Sequence, residues 1–365
     1  MADVQAAGRA AQQFGNDTFL RAEPYGEGHI NETYAAYYRR ADGTEYRNIL
    51  QKINTYVFPD VDGLMRNIQG VTEYLRGFVG ERETMTVIPT REGKPYYRDG
   101  EGGCWRSYVF IENATAYQKI EKDADFFTCG VSFGRFQQQL ADYPAQELCE
   151  TIVNFHNTPS RYQALHAAIE ADKAGRLAEV VEQVAFALER EASAGVLVEG
   201  MAAGTLPCRV THNDTKLNNI LIDDETGRGQ CVIDLDTVMP GAVAFDFGDC
   251  IRFGASTAAE DETDLSKVEM SLPLFRVFAE GYLSTAAPFL TEAELDSLVD
   301  GARLMTLECG VRFLTDYLEG DVYFRIHRPR HNLERCLTQF TLVADMEQKE
   351  TEMRAIIREL AEKYR

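Results

Sequence analysis

The sequence has no apolar run near the roughly 20 residues that cross a bilayer, and its first residues lack the basic and apolar segments of a signal peptide. Its eight cysteines form no Cys-x-x-Cys pair and mostly lie in apolar surroundings. That distribution favours reduced, packed thiols over a disulfide framework or a zinc site. We therefore expect a cytoplasmic protein.

Basic side chains are also scarce, with 37 Lys and Arg against 58 Asp and Glu and a net charge of -21. Such a surface repels nucleic-acid phosphates and anionic membranes, so we expect neither as a partner. The 365 residues suffice for two domains or two lobes, and the 45% hydrophobic content can fill a sizeable core. We expect small-molecule partners and a monomer or weak oligomer.

The most informative stretch is residues 210–222, in which His212-x-Asp214 is followed by Asn219. A second carboxylate, Asp234, ends an apolar run twenty residues after Asp214. This spacing is typical of a kinase catalytic loop and its metal-binding aspartate. It predicts Asp214 as the base and Asn219 and Asp234 as Mg²⁺ ligands, with ATP as co-substrate. The alternative is a polar loop followed by a hairpin.

The first third of the chain has the pattern strand, glycine turn, strand, turn, strand, then helical spacing at 60–79 and two further strands. Gly26 and Gly28 lie in the first turn and are predicted to contact phosphates, although a simple hairpin turn is the alternative. The last strand leads into Phe110, Ile111 and Glu112. We predict that their backbone groups pair with adenine, the alternative being an ordinary strand end.

From residue 113 the pattern becomes helical, with apolar stripes at 123–142, 162–200, 291–318 and 332–364. The only strands expected in this half are 219–222 and 230–235. The sequence thus predicts an α+β, protein-kinase-like two-lobed fold with the active site in the cleft. The β-rich N-lobe would span residues 1–112, and the larger, mostly helical C-lobe would span residues 113–365.

Residues 246–248 spell Asp-Phe-Gly, which is the metal-binding motif of protein kinases. Asp246 lies 32 residues after Asp214, however, and no second hairpin strand precedes it. We therefore predict that Asp246 braces the catalytic loop through backbone hydrogen bonds and that Asp234 binds the metal.

Asp234-Leu235-Asp236, in this setting, resembles the signature of the aminoglycoside phosphotransferase-like superfamily of small-molecule kinases. The resemblance covers nearly the whole chain and is carried by residues 23–31, 64–67, 211–219, 233–241, 245–257 and 312–321. Within the superfamily it is closest to kinases that act on N-acetylhexosamines. It implies transfer of the ATP γ-phosphate to the anomeric C1 hydroxyl of N-acetylglucosamine or N-acetylgalactosamine.

The same resemblance implies sugar contacts from His29, Asp214, Asp249, Phe253, Arg312 and Tyr323. A guanidinium suits hydroxyl groups, and an aromatic face suits a pyranose ring. Alternatively, Arg312 forms an ion pair with Asp316 or Glu308, and the two aromatic residues belong to the core.

One departure from protein kinases concerns the third strand, which reads Gln51-Lys52 where those enzymes place a single phosphate-anchoring lysine. The cation, and Glu73 as its candidate partner, are left open. Two rival functions also remain at this stage. One is a kinase of the same fold acting on choline, homoserine, methylthioribose or an aminoglycoside, and the other is a catalytically inactive ATP-binding scaffold.

Overall fold

The computed structural model describes residues 3–26, 28, 30–118 and 122–365. The chain divides into two compact units. The first unit comprises Met1–Thr115, Glu147–Val153 and Leu221–Met239, and the second comprises Ala116–Gln146, Asn154–Ile220 and Pro240–Arg365. The sheet lies in the N-terminal region and most helices lie in the C-terminal region, so the predicted α+β class is confirmed.

The first unit is built on an antiparallel sheet preceded by helix α1 (Val4–Ala11). Its strands are β1 (Thr18–Pro24), β2 (Glu32–Arg39), β3 (Glu45–Ile53), β4 (Val87–Ile88), β5 (Tyr97–Arg98) and β6 (Cys104–Val109). The order is β1-β2-β3-β6-β4, with β5 paired to β6. The alanine face of α1 packs on Tyr34, Tyr38, Leu50 and Trp105, because alanines let a helix approach a sheet of large side chains closely.

Helix α2 (Val61–Leu75) follows β3 and begins at Asp60, whose carboxylate accepts the Gly63 N–H at 2.9 Å. It ends earlier than the 60–79 pattern suggested, because Gly77 turns the chain back onto the Tyr74 carbonyl. The Asn67 amide of α2 donates to the carbonyls of Cys149 (2.8 Å) and Val238 (3.0 Å). These bonds hold α2 beside the chain that follows Asp234.

Five shorter strands complete the sheets: β7 (Ala114–Ala116), β8 (Arg209–Thr211), β9 (Ile220–Asp223), β10 (Gly229–Val232) and β11 (Met239–Gly241). Strands β10, β9 and β7 form one sheet in that order, and β11 pairs with β8. The predicted hairpin at 219–222 and 230–235 is confirmed as β9 and β10. The expectation of no other strands in this half was wrong, because three-residue strands such as β8 are too short to show a period.

The second unit contains helices α3 (Asp123–Gln139), α4 (Thr158–Ala171), α5 (Val181–Leu188), α6 (Val196–Ala202), α7 (Val243–Gly254), α8 (Leu272–Ala286), α9 (Glu292–Glu319), α10 (His331–Gln348) and α11 (Glu350–Tyr364). The long patterns at 162–200 and 332–364 are each divided between helices. Asp172 (φ 33°) and Gly175 (φ 65°) end the first helix of one pattern, and Lys349 separates α10 from α11 in the other. No helix in the described ranges is both long and apolar enough to span a membrane.

Helix α9 is the centre of the second unit, with 28 residues between a Thr291–Glu294 capping box and Gly320. It crosses α7 without intervening side chains. A Cβ on Gly301 would lie 2.2 Å from the Ala244 carbonyl oxygen, and one on Gly248 would lie 2.3 Å from the Gly301 oxygen. The two glycines therefore set the spacing of the helices that carry Asp249 and Glu308.

Candidate active site

The buried carboxylate of Asp246 holds the predicted catalytic loop. Its oxygens accept the backbone N–H groups of His212 (2.9 Å) and Asn213 (2.7 Å), and the amide of Gln137 donates to it at 2.7 Å. The Asp246 backbone oxygen also accepts the Thr215 hydroxyl at 2.6 Å. The prediction that Asp246 braces this loop is confirmed. Burial nevertheless raises the pKa of its carboxyl group.

Asp214 lies at the open part of this loop and has two side-chain partners. Lys216 places its ammonium 2.6 Å from Oδ1, and the Asn219 amide nitrogen donates to Oδ2 at 3.0 Å and to the Asp214 backbone oxygen at 2.7 Å. Because these oxygens take the amide nitrogen of Asn219, the amide oxygen faces away from them. It has no hydrogen bond to the residues described and remains available as a metal ligand.

Lys216 is a functional candidate that the sequence reasoning did not single out. Burial disfavours its ammonium, but the carboxylates of Asp214 and Asp249 outweigh burial and raise the pKa of Lys216. The lysine is therefore a permanent positive charge beside the predicted base. Its position two residues after Asp214 was the available signal.

Asp249 extends the same cluster from α7. Its Oδ2 accepts the Thr215 N–H at 3.1 Å, and its Oδ1 lies 2.9 Å from Nη2 of Arg252. Burial opposes ionisation, but Arg252, Lys216 and His156 hold the pKa of the Asp249 carboxyl below its usual range. Arg252 also reaches Glu260, at 3.0 Å.

His156 and Glu308 form the third charged pair of this neighbourhood. Nδ1 of His156 lies 3.0 Å from Glu308 Oε1, and Nε2 lies 3.2 Å from the Asn213 backbone oxygen. The Thr158 hydroxyl donates to the other Glu308 oxygen at 2.7 Å. Burial opposes ionisation of Glu308, but the bond to His156 holds the pKa of this carboxyl below its usual range.

Arg312 and Tyr323 are brought together on the surface of the second unit. The guanidinium carbon lies 5.8 Å from the Tyr323 ring centre and 5.3 Å from that of Phe324. Asp316 holds this loop by accepting the N–H groups of residues 322–324. Within the described ranges, no carboxylate lies within ion-pair distance of Arg312, so its pairing with Asp316 or Glu308 is wrong.

The predicted aromatic sugar contacts are both accessible. Tyr323 is 70% exposed and Phe253, on α7, is 43% exposed, which rules out the alternative that they are core residues. Their rings therefore remain available for an apolar sugar face. His29 lies outside the described residues.

In the first unit, Asp234 follows β10 in a left-handed conformation (φ 59°) and is exposed. The buried carboxylate two residues later, Asp236, is the centre of a network. Its Oδ1 lies 2.6 Å from Nη1 of Arg106, and its Oδ2 accepts from Asn31 at 2.7 Å. The turn that contains Asp234 is thereby hydrogen-bonded to Asn31, which follows the turn of Gly26 and Gly28.

Arg106 is the buried cation of this sheet. The β3–β6 register places it opposite Gln51, whose amide oxygen accepts from Nη2 at 2.8 Å. Burial disfavours its charge, but Asp236 outweighs burial and raises the pKa of Arg106. Lys52 instead lies 4.0 Å from Glu32 at the surface, and Glu73 is exposed on α2. The signal for Arg106 was a charged residue inside the otherwise uncharged strand β6.

The predicted nucleotide segments approach each other within the first unit. Tyr25, beside Gly26, contacts Phe110 edge to face at 5.4 Å, and the Arg47 guanidinium covers the Phe110 ring at 3.6 Å. Gly26 has φ 75°, and a Cβ on Gly28 would meet nothing within 4 Å. A phosphate could therefore approach this backbone closely.

Two arginine side chains contact the segment at residues 110–112, which follows β6. The Arg47 guanidinium donates two hydrogen bonds to the Glu112 carboxylate, and Arg82 donates to the Glu112 backbone oxygen at 2.7 Å. In the described part of the chain, the backbone groups of Ile111 have no hydrogen-bond partner. The backbone groups of Ile111 are therefore able to pair with an adenine edge.

The site residues thus fall into three groups by position. In the second unit, Asp214 and Asn219 are hydrogen-bonded to each other, and Asp249 is bonded to the adjacent Thr215 N–H. Arg312 and Tyr323 form a pair there. Asp234 and the segments at Gly26 and Phe110 belong to the first unit. No group of three His, Cys, Asp or Glu side chains able to hold a metal occurs in the described ranges. The oxygen donors of Asn219 and Asp234 suit Mg²⁺, which binds few protein ligands and keeps waters or phosphates.

A model of the phosphotransferase enzyme family (APH) matches residues 95–280, just over half of the chain. The protein belongs to that family.

Solved structures agree on the fold. A microcompartment-associated aminopropanol kinase is 15% identical, with a TM-score of 0.57 and coverage of 96% of this chain and 98% of that one. Amicoumacin kinase, in complex with AMP-PNP and Ca²⁺, is 14% identical, with a TM-score of 0.54 and coverage of 99% and 94%. Choline kinase from Cryptosporidium parvum is 16% identical, with a TM-score of 0.54 and coverage of 95% of each chain.

Proposed function

We propose that the protein is an N-acetylhexosamine 1-kinase. It would transfer the γ-phosphate of ATP to the anomeric C1 hydroxyl of N-acetylglucosamine or N-acetylgalactosamine, giving N-acetyl-α-hexosamine 1-phosphate and ADP. Family membership supports phosphoryl transfer. The observation that carries the choice of acceptor is the charge pattern of the second unit. Asp214, Asp249 and Glu308 each have a basic partner, whereas no described carboxylate lies within ion-pair distance of Arg312.

In the proposed reaction, Asp214 accepts the proton of the C1 hydroxyl as that oxygen bonds to the γ-phosphorus and the bond to the β-phosphate oxygen breaks. Lys216, 2.6 Å from Asp214, places positive charge where the phosphoryl oxygens would accumulate negative charge. Asn219 and Asp234 would hold Mg²⁺, which neutralises phosphate charge when bound. An anomeric hydroxyl is more acidic than an ordinary alcohol, so positioning can supply much of the rate.

The nucleotide would be bound by residues 1–112. Gly26 and Gly28 offer unobstructed backbone to the phosphates, and the unpaired backbone groups of Ile111, between Phe110 and Glu112, would meet adenine. Residues 113–365 would supply the catalytic loop and the acceptor site. We place the reaction in the cytoplasm, where ATP is available, with no nucleic-acid or membrane partner.

The ion pairs already formed in the second unit favour a neutral acceptor over a cationic one. Asp214 is neutralised by Lys216, Asp249 by Arg252 and Glu308 by His156. A cationic acceptor needs an unpaired carboxylate, whereas Arg312 would repel it. A neutral sugar instead gains hydrogen bonds from the guanidinium and apolar contact from Tyr323 and Phe253. His29 and Asp249 complete the proposed set of sugar contacts.

The second candidate is a kinase for an amine-bearing alcohol, such as choline, or for homoserine, methylthioribose or an aminoglycoside. It is favoured by the net charge of -21, which attracts cations, and by the fold likeness to aminopropanol and choline kinases. The inactive scaffold is disfavoured because Asp214, Asn219 and Asp234 are all present.

ADP release with a panel of acceptors, with and without Mg²⁺, tests these alternatives. The panel contains N-acetylglucosamine, N-acetylgalactosamine, glucose, galactose, choline, aminopropanol, homoserine, methylthioribose and an aminoglycoside, and ³¹P NMR identifies the phosphorylated position. We expect Mg²⁺-dependent release with the N-acetylhexosamines and a C1 phosphate. Release with amines alone would establish the second candidate, and the absence of stimulated release with every acceptor would favour the scaffold.

A further inference from the structure

His156 lies between two oxygen acceptors. It precedes α4, its side chain is 10% exposed, and Phe155 and Phe245 flank its ring at 4.6 Å and 5.2 Å. Nδ1 faces a Glu308 carboxylate oxygen and Nε2 faces the Asn213 carbonyl. Neither of these oxygens can donate a hydrogen.

A neutral imidazole carries one N–H and one lone pair, so it could satisfy only one of these acceptors. The other nitrogen would then direct its lone pair at an oxygen inside the protein, where such repulsion is weakly screened. The geometry therefore requires both nitrogens to be protonated. Burial acts against this charge, but Glu308 outweighs burial and raises the pKa of His156.

The carbonyl that His156 holds belongs to the peptide bond between Asn213 and Asp214. Asn213 has φ 65°, a left-handed conformation that a residue other than glycine keeps only when its surroundings enforce it. Asp246 holds the amide side of Asn213, and His156 holds the carbonyl side. A rotation of that peptide would displace the Asp214 carboxylate.

At its other nitrogen, His156 is fixed to α9. Glu308 is one helical turn before Arg312, and its second oxygen is held by Thr158. Hydrogen bonds from Glu308 through His156 to Asn213 thus connect the helix that carries Arg312 to the loop of the proposed base, entirely within the second unit.

We propose that His156 is a positively charged positioning residue, which fixes the peptide bond before Asp214 against Glu308 and so aligns the base with the acceptor site. This role rests on the proposed function, because it acts through Asp214. His156 itself touches no reacting atom.

The charged groups on the elements around His156 determine the direction of the pH dependence. They are Glu308 and Arg312 of α9, Asp249 of α7 with its partner Arg252, Arg161 of α4 and Lys216 of the loop. Because the pKa of His156 in the folded protein is raised, the protonated form persists at and above its ordinary titration range. Alignment is complete at lower pH and is lost as pH rises through the raised pKa.

Two substitutions separate this role from packing. His156→Gln keeps one donor but cannot donate to both oxygens and does not titrate. Glu308→Gln keeps the size of its side chain but removes the charge that raises the pKa of His156. The control is His166→Gln, because His166 also pairs with a carboxylate, Glu191 at 2.9 Å, but is exposed on α4.

The experiment combines NMR of ¹⁵N-histidine-labelled full-length protein with the pH profile of kcat. We expect both His156 nitrogens to be protonated at neutral pH, and the Asp214 amide signal to titrate with the same midpoint. Wild-type kcat should fall as pH rises through that midpoint. Glu308→Gln should move both midpoints to lower pH. His156→Gln should lower kcat by about 10–100-fold, as misplacement of a reacting group does, and abolish this pH step with little change in the KM for ATP.

The control His166→Gln should reproduce the wild-type profile. A His156 signal that is singly protonated across the neutral range overturns the proposal, and so does a wild-type pH step that survives in His156→Gln. Failure of the proposed function has a different result, because the wild type would then phosphorylate no N-acetylhexosamine. The NMR titration and its shift in Glu308→Gln would still decide the charge on His156 and its coupling to Asp214.

Discussion

Nη1 of Arg106 lies 2.6 Å from Oδ1 of Asp236, and the two side chains are only 1% and 4% exposed. Breaking such a pair from one side leaves an uncompensated buried charge, which costs about 3–5 kcal/mol. We expect Arg106→Met to lower the free energy of unfolding by this order, as measured by urea denaturation. Lys94→Met, which breaks an exposed pair with Glu92, is the control and should leave unfolding unchanged. If Arg106→Met and Lys94→Met unfold at the same urea concentration, the buried pair does not stabilise the protein.

Asp214→Asn removes the proposed base while keeping its shape. We expect kcat to fall by about 10²–10⁴-fold, the usual contribution of a positioned general base. Isothermal titration calorimetry should show ATP and sugar binding little changed. Asp264→Asn, at an exposed turn of the second unit, is the matched control. A variant at position 214 that keeps most of its turnover would remove Asp214 from the mechanism.

Asn219→Ala tests the metal assignment against the neighbouring Asn218→Ala. The amide nitrogen of Asn219 donates to Asp214, whereas that of Asn218 donates to Gln118 and so does not face the predicted base. We expect the Mg²⁺ concentration for half-maximal activity to rise about tenfold or more in Asn219→Ala, equivalent to about 1.4 kcal/mol. Asp234→Asn should behave in the same way. Mg²⁺-dependent binding of ATP, followed by calorimetry, gives a second readout. If Asn218→Ala and Asn219→Ala need the same Mg²⁺ concentration for half-maximal activity, Asn219 is not a metal ligand.

Arg312→Ala tests the acceptor site. Loss of a charged donor to sugar oxygens should raise the KM for N-acetylhexosamine about 10–100-fold, corresponding to about 1.5–3 kcal/mol for such a hydrogen bond. The KM for ATP should stay the same. Arg303→Ala provides the control, since Arg303 lies on the same helix but faces Asp300 at 3.7 Å. If the two variants have the same sugar KM, Arg312 does not contact the acceptor.

Much of this arrangement could be predicted because it follows local patterns. The apolar spacing of α2, α3 and α9 repeats every three or four residues, and the spacing of His212, Asp214 and Asn219 is a property of one loop. The role of Asp246 was also predictable, since the spacing of the hairpin of β9 and β10 favours Asp234 rather than Asp246 as the metal ligand.

The remaining features depend on partners far apart in the sequence. Arg106 meets Asp236 across 130 positions, and His156 meets Glu308 across 152. No periodicity links such residues, because each is placed by the packing of whole strands and helices. The same reason explains why Lys52 was considered as the cation of the first unit. The β3–β6 register, which brings Arg106 opposite Gln51, is not visible in either strand alone.

The crossing of α7 and α9 has a consequence for engineering. Gly248 and Gly301 let α7 and α9 approach until their backbones are in contact, so the distance between the helices that carry the proposed acceptor site depends on these two glycines having no side chain. A library intended to broaden acceptor choice should randomise Phe253 and Tyr323, whose exposed rings have room to change. Diversity introduced at either glycine would force the helices apart and displace Asp249 and Glu308 together.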